Sequence, residues 1–207
     1  GLDFDYLPSD RPWTLSSDNA DYGLYILSDY PVNNLTAAQM ERLVSAVADG
    51  AGLLMIGGWE SFHGKSGQYN DTPLAEVLPV AMEGMDDRVN SFQPCLVELR
   101  GEHPITTGLP WSRPPGIGGY NRLTVKPGAD ELLSARHVEI EADLCGRYSL
   151  RVGAAPSLLV VGEYGRGRTA AFASDVAPHW IGGMVDWGDG RVTAHAEGSE
   201  PTEVGNW

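Results

Sequence analysis

The sequence predicts an α/β domain with a mainly parallel central sheet and a late β-hairpin. Three observations carry that prediction. A capped amphipathic helix lies between two short apolar runs, the second of those runs ends in a Gly-Gly turn, and a long apolar stretch from Ser157 to Asp175 folds back at Gly-Arg-Gly. At 207 residues the chain is long enough for one well-buried core, so residues 1–207 are read as a single domain.

Taken in order, Leu2 to Pro8 (LDFDYLP) alternates apolar and polar residues and reads as a short strand closed by Pro8. Tyr22 to Asp29 (YGLYILSD) is continuously apolar, which suits a strand buried on both faces. Thr36 with Gln39 forms a capping box, and Met40, Leu43, Val44 and Val47 share one face of the helix that follows. That helix should stop at Asp49-Gly50, where glycine can take the left-handed conformation. Two residues on, GLLMIGG forms the next strand, giving a right-handed βαβ unit that ends at Gly57-Gly58. Thr72-Pro73 opens a short helix that Pro79 stops. Val80 to Pro127, rich in proline and glycine, reads as strands and long loops. Ser157 to Asp175 is a hairpin in which Glu163 is expected to pair with Arg166 or Arg168. Beyond Gly182 no core pattern is visible.

Composition narrows the function classes. With 14 Lys and Arg against 28 Asp and Glu, the formal charge is −14, a field that repels phosphate backbones and anionic membrane surfaces. Nucleic acid and membrane are therefore not expected as partners, and no apolar run approaches the roughly 20 residues of a spanning helix. Cys95 and Cys145 stand far apart with no metal-ligand spacing, so no metal or cofactor is implied and a reducing, cytoplasmic setting is the default. Six tryptophans offer material for packing and assembly, and a homo-oligomer is expected.

Three points should meet at the carboxyl edge of a parallel sheet, where α/β proteins place ligands: Asp29, the turn from Gly57 to His63, and Asp175 to His179. The stretches YILSD, GAGLLMIGGWESFHG, TPLAEVLPV, GYNR and LLVVGEYGRGRTAAFASDVAPHW resemble the glutamine amidotransferase-like proteins, a branch of the class I glutamine amidotransferase superfamily that neighbours the ThuA-like proteins. The resemblance spans most of Tyr22 to Trp180. It implies a flavodoxin-like sandwich, and that a first strand and helix and a closing helix lie outside this chain.

In that superfamily a Cys sits on the elbow after this strand, and a later strand supplies a His and a Glu. Here no thiol occurs from Gly57 to Asp71, and the position of the companion Glu is Ile181. Ser61 lacks the frame of a serine hydrolase elbow. A working glutaminase is therefore not expected. Asp175 and His179 remain as acid and base candidates, with the alternative that Asp175 caps a turn and His179 packs beside Trp180. Asp29, Gly57, Gly58, Trp59, Glu60 and His63 are candidate ligand contacts, joined by Tyr120 and Asn121 from a glycine-rich loop that could overhang the crevice or form an ordinary turn. The ligand expected is small and polar, a Trp beside carboxylates being a lining that suits carbohydrates. An acid/base or metal-assisted enzyme, or a subunit with a structural role, are the rival readings.

Overall fold

The computed structural model describes residues 3–14, 22–184, 192–194 and 202–204. Strand β1 (Leu24–Ser28), helix α1 (Ala37–Ala48) and strand β2 (Gly52–Ile56) form the expected βαβ unit, with Leu24 opposite Gly52 and Ser28 opposite Ile56 in a parallel pair. Its helix begins where the capping box places it. The Gln39 N–H donates to Thr36 Oγ1 at 3.3 Å, and the Thr36 N–H donates to Gln39 Oε1 at 2.8 Å. Met40, Leu43 and Val47 are buried on the inner face of α1, with Val44 partly so.

Next come the short helix α2 (Pro73–Val77), with Pro73 in its first turn, then β3 (Val80–Met82), β4 (Arg88–Leu99), β5 (Gly116–Asn121), β6 (Leu123–Val125) and β7 (Asp130–Arg136). A projecting hairpin, β8 (Val138–Ala142) and β9 (Tyr148–Val152), precedes β10 (Ser157–Tyr164) and β11 (Gly167–Phe172). Helix α3 (Pro178–Ile181) and a small antiparallel pair, β12 (Val192–Ala194) with β13 (Thr202–Val204), follow.

The main sheet has seven strands in the order β1-β2-β11-β10-β7-β4-β5 and is mixed, not mainly parallel. Only β1 with β2 and β2 with β11 are parallel among the described strands. The physical reason is connection length: a parallel neighbour needs a crossover of a dozen or more residues, whereas β10 and β11 are joined through Gly165 and Arg166 alone. The Pro- and Gly-rich middle of the chain supplies turns and loops, with no helix to carry a crossover among the described residues of Val80 to Pro127.

One further expectation is corrected, and the choice between Arg166 and Arg168 as the residue across from Glu163 is narrowed. Asp3 to Pro8 forms no strand, and Phe4 and Tyr6 lie exposed, because no neighbouring strand pairs with that alternation; Leu2 lies outside the described residues. The N-terminal segment is instead tethered to the start of the βαβ unit, the Tyr30 hydroxyl donating to the Arg11 carbonyl at 2.8 Å and the Trp13 N–H to the Asn34 carbonyl at 2.8 Å. Arg166 leaves the hairpin to meet Asp49 at 3.3 Å beyond the end of α1, and Glu163 faces Arg168 in register.

The sheet is strongly curled. Four strand spacings of about 4.8 Å separate β11 from β5 in a flat sheet. Yet the Asn121 N–H at the end of β5 donates at 2.8 Å to the carbonyl of Ala173, one residue beyond β11. The strands from β11 to β5 therefore roll around a second core of Cys95, Val97, Ile117, Leu133 and Leu158, beside the first core under α1 and α2. That roll brings the end of β5 to the glycine turn after β2.

Candidate active site

Because β1, β2 and β11 run the same way, their carboxyl ends open on one edge. Asp29 follows β1 with φ +44°, a left-handed conformation uncommon outside glycine. Its N–H donates to Ser61 Oγ at 3.0 Å, and its Oδ1 accepts the Glu60 N–H at 2.9 Å; the Trp59 N–H also bonds this carboxylate. The turn after β2 thus aims its N–H groups at a carboxylate of the same chain. Gly58 makes this possible: its φ is +144°, and a Cβ there would lie 2.1 Å from Asp29 Oδ1.

A second clamp holds the turn from the other side. Asn121, fully buried, accepts the Gly58 N–H at 2.9 Å on Oδ1 and donates from Nδ2 to the Gly58 carbonyl at 3.1 Å and to Asp87 Oδ1 at 2.7 Å. Asp87, equally buried, accepts the His63 N–H at 3.1 Å and the Gly64 N–H at 2.9 Å. Burial pushes the Asp87 carboxyl up, and these donors pull it back.

The third contribution comes from beyond β11. Asp175 is 4 % exposed and accepts the Ala177 N–H at 3.2 Å, with the Trp180 and Ile181 N–H groups bonding it as well. Burial, reinforced by the negative charge of Asp29, raises its pKa from 3.8 to about 7 against those donors. Asp29 is itself raised, chiefly by burial. Burial therefore opposes ionisation of both acids, and the charge of Asp29 opposes that of Asp175 further.

The remaining expected residues divide. Trp59 is half-buried, with the Arg88 guanidinium 4.3 Å from its ring centroid and the Lys65 ammonium at 5.9 Å. Arg88 is fixed in turn by Asp86, through bonds of 2.8 and 2.7 Å that lower the Asp86 carboxyl to about 2. His63 turns Nδ1 toward the Gly64 carbonyl at 3.1 Å. Gly57 is wedged where a Cβ would approach the Ala173 carbonyl to 2.3 Å.

Tyr120 and Asn121 end a strand and form neither an overhanging loop nor a turn. Successive residues of a strand face opposite ways, so Asn121 reaches the crevice turn while Tyr120 enters the second core and bonds His137 Nε2 at 2.8 Å. The His179 ring is half-buried and has no hydrogen-bond partner among the described residues. Its neighbour Trp180 is the anchor of α3, fully buried against Gly119 and donating to Asn90 Oδ1 at 2.7 Å. Among the described residues no three His, Cys, Asp or Glu side chains gather to hold a metal ion. Sequence reasoning missed Asp86, Asp87 and Arg88; the acidic pair ahead of Arg in MDDRV was the available signal.

A parallel strand running into a glycine turn, with an acid presented from a later strand of the same sheet, is the frame of a class I amidotransferase elbow, here without a thiol. A sequence profile described as "Putative glutamine amidotransferase" matches residues 24–192, and the chain belongs to that family. Two solved structures of cytoplasmic proteins from Salmonella typhimurium are similar to it. STM3548 is 34% identical with a TM-score of 0.70, covering 87% of this chain and 73% of its own; STM1381, from strain LT2, is 33% identical with a TM-score of 0.68, covering 86% and 72%. A ThuA-like protein from Bacteroides uniformis is 17% identical over 84% of this chain and 68% of its own, with a TM-score of 0.44. No curated protein matches. No helix among the described residues is long and apolar enough to cross a membrane.

Proposed function

We propose that this chain is a binding member of the amidotransferase-like family without glutaminase activity, taking a small polyhydroxy ligand of the carbohydrate class in the crevice. The observation that carries the reading is Asp175, buried, and Asp29, half-buried, two acids of raised pKa at the strand ends. Such a pair repels anions. It offers a neutral hydroxyl both a donor and an acceptor, with Trp59 and Glu60 beside Asp29. Glutamine hydrolysis is disfavoured twice over: the turn has no thiol, and the Glu60 and Trp59 N–H groups that would stabilise an oxyanion already bond Asp29. A cytoplasmic setting is supported by the names of the two Salmonella proteins.

Calorimetric titration with a panel of neutral mono- and disaccharides tests this. The wild type should bind at least one, and Asp175→Asn should weaken that binding at least tenfold. Absence of any binding, or equal binding by the variant, refutes it.

One observation favours a second reading, an acid/base enzyme acting on such a ligand. A carboxyl titrating near 7 is matched to proton transfer at neutral pH, and Asp175 would serve as the acid with His179 as its candidate partner. Turnover of a bound saccharide, lost in both Asp175→Asn and His179→Ala, would establish it.

A further inference from the structure

Helix α2 ends on carbonyls that its own backbone leaves open. The Leu78 N–H donates to the Leu74 carbonyl at 3.2 Å, but the next residue in line, Pro79, has no N–H for the Ala75 carbonyl. Lys126, just beyond β6, fills the gap: its Nζ donates to the Ala75 carbonyl at 2.6 Å and to the Glu76 carbonyl at 3.1 Å. Its backbone is fixed as well. The Lys126 N–H donates to the Pro79 carbonyl at 3.0 Å, and its own carbonyl accepts the Ala129 N–H at 3.1 Å.

Lys126 also lines a cavity of about 520 Å³, together with Asn70, Asp71, Thr72 and Glu76. A tetrahedral nitrogen that spends two N–H groups on two carbonyls has one position left. In an ammonium that position is a third N–H; in the neutral amine it is the lone pair, and both carbonyls are still satisfied. Burial lowers the Lys126 pKa below the ordinary lysine value, against the raising charge of Glu76. A desolvated lysine anchored beside an open cavity is placed to act as a nucleophile.

We propose that Lys126 is an imine-forming lysine and that the cavity beside α2 takes a small neutral hydroxyaldehyde. The Nζ lone pair forms the C–N bond, and the π pair of the aldehyde moves to its oxygen. The two amine protons then leave on that oxygen as water, relayed by the carboxylate of Glu76, whose charge acts on Lys126. The lining selects the aldehyde. Asp71 and Glu76 repel an anionic electrophile such as a keto acid or an acyl phosphate, while the Asn70 amide and the Thr72 hydroxyl offer partners to hydroxyl groups. None of these residues belongs to the crevice, so the inference stands apart from the reading of Asp29 and Asp175.

The chain carries its own control, because Lys65 and Lys126 are its two lysines and Lys65 is exposed where Lys126 is half-buried. Wild-type protein is treated with glycolaldehyde and cyanoborohydride at pH 7, and the reduced adduct at each lysine is followed over time by peptide mass spectrometry. Lys126 should be alkylated at least tenfold faster than Lys65. An equal rate, or a faster one at Lys65, overturns the inference and leaves Lys126 as the cap of α2. Replacing glycolaldehyde with the anionic glyoxylate should lower the ratio of Lys126 to Lys65 labelling at least fivefold. A ratio that ignores the charge of the aldehyde overturns the assignment of a neutral ligand.

Discussion

Replacing Asp175 with Asn should stabilise the protein above neutral pH and do nothing below pH 4. The folded chain holds the Asp175 proton up to about pH 7, whereas an unfolded carboxyl releases it near 3.8. Between those values the native state binds more protons than the unfolded one, so stability falls as pH rises and levels off above 7. A shift of about three pH units corresponds to roughly 4 kcal/mol, at about 1.4 kcal/mol per unit. Asp175 is 4 % exposed, so solvent screening removes little of it. Asparagine keeps an oxygen for the Ala177 N–H but cannot ionise, and it relieves Asp29 of a neighbouring charge. Urea melts of wild type and Asp175→Asn followed by circular dichroism at pH 4, 6 and 8 should therefore diverge steadily. At pH 8 the variant should lead by about 2–4 kcal/mol, or roughly 5–10 °C in melting temperature for a domain of this size. A difference that does not change with pH would refute the reasoning.

Other consequences follow from the clamp and the turn. Asn121→Ala strips partners from the buried Gly58 N–H, the Gly58 carbonyl and Asp87, and should cost about 3–5 kcal/mol in denaturant melts, since each orphaned group costs about 1–3 kcal/mol. Gly57→Ala forces a methyl to 2.3 Å from the Ala173 carbonyl and should lower the melting temperature by about 6–12 °C, as roughly 3 kcal/mol of overpacking does. Purified protein should release no ammonia from glutamine above the buffer rate; release abolished by Cys95→Ala or Cys145→Ala would show that a thiol acts after all. Asn90→Ala should leave the buried Trp180 indole N–H without its partner and destabilise the α3 region by about 1–3 kcal/mol, read as faster amide exchange from Ala177 to Ile181.

What could be read in the sequence was what depends on neighbours in the chain. Thr36 and Gln39 cap a helix through contacts three residues apart, Gly165 and Arg166 close a hairpin, and Asp29 and Gly58 end strands joined by a single crossover. The roll of the sheet depends on β4, β5 and β7, whose pairings span loops that leave no period in the sequence. Hence the sequence suggests a loop at Asn121 where the structure has the end of β5, and nothing in the sequence singles out Asp87, which Asn121 meets. Alternation without a partner misled at Asp3 to Pro8, where the pattern of a strand exists but no edge receives it.

The central claim is that Asp29 and Asp175, two acids whose ionisation burial opposes, form the ligand site. Carbon-13 titration of the aspartate carboxyls, with and without a saccharide from the calorimetric panel at saturation, tests it most directly. The account predicts one aspartate titrating near 7, absent in Asp175→Asn, whose midpoint moves when the saccharide binds. Aspartates that all titrate below pH 5, or a midpoint near 7 that ignores a bound saccharide, would contradict it.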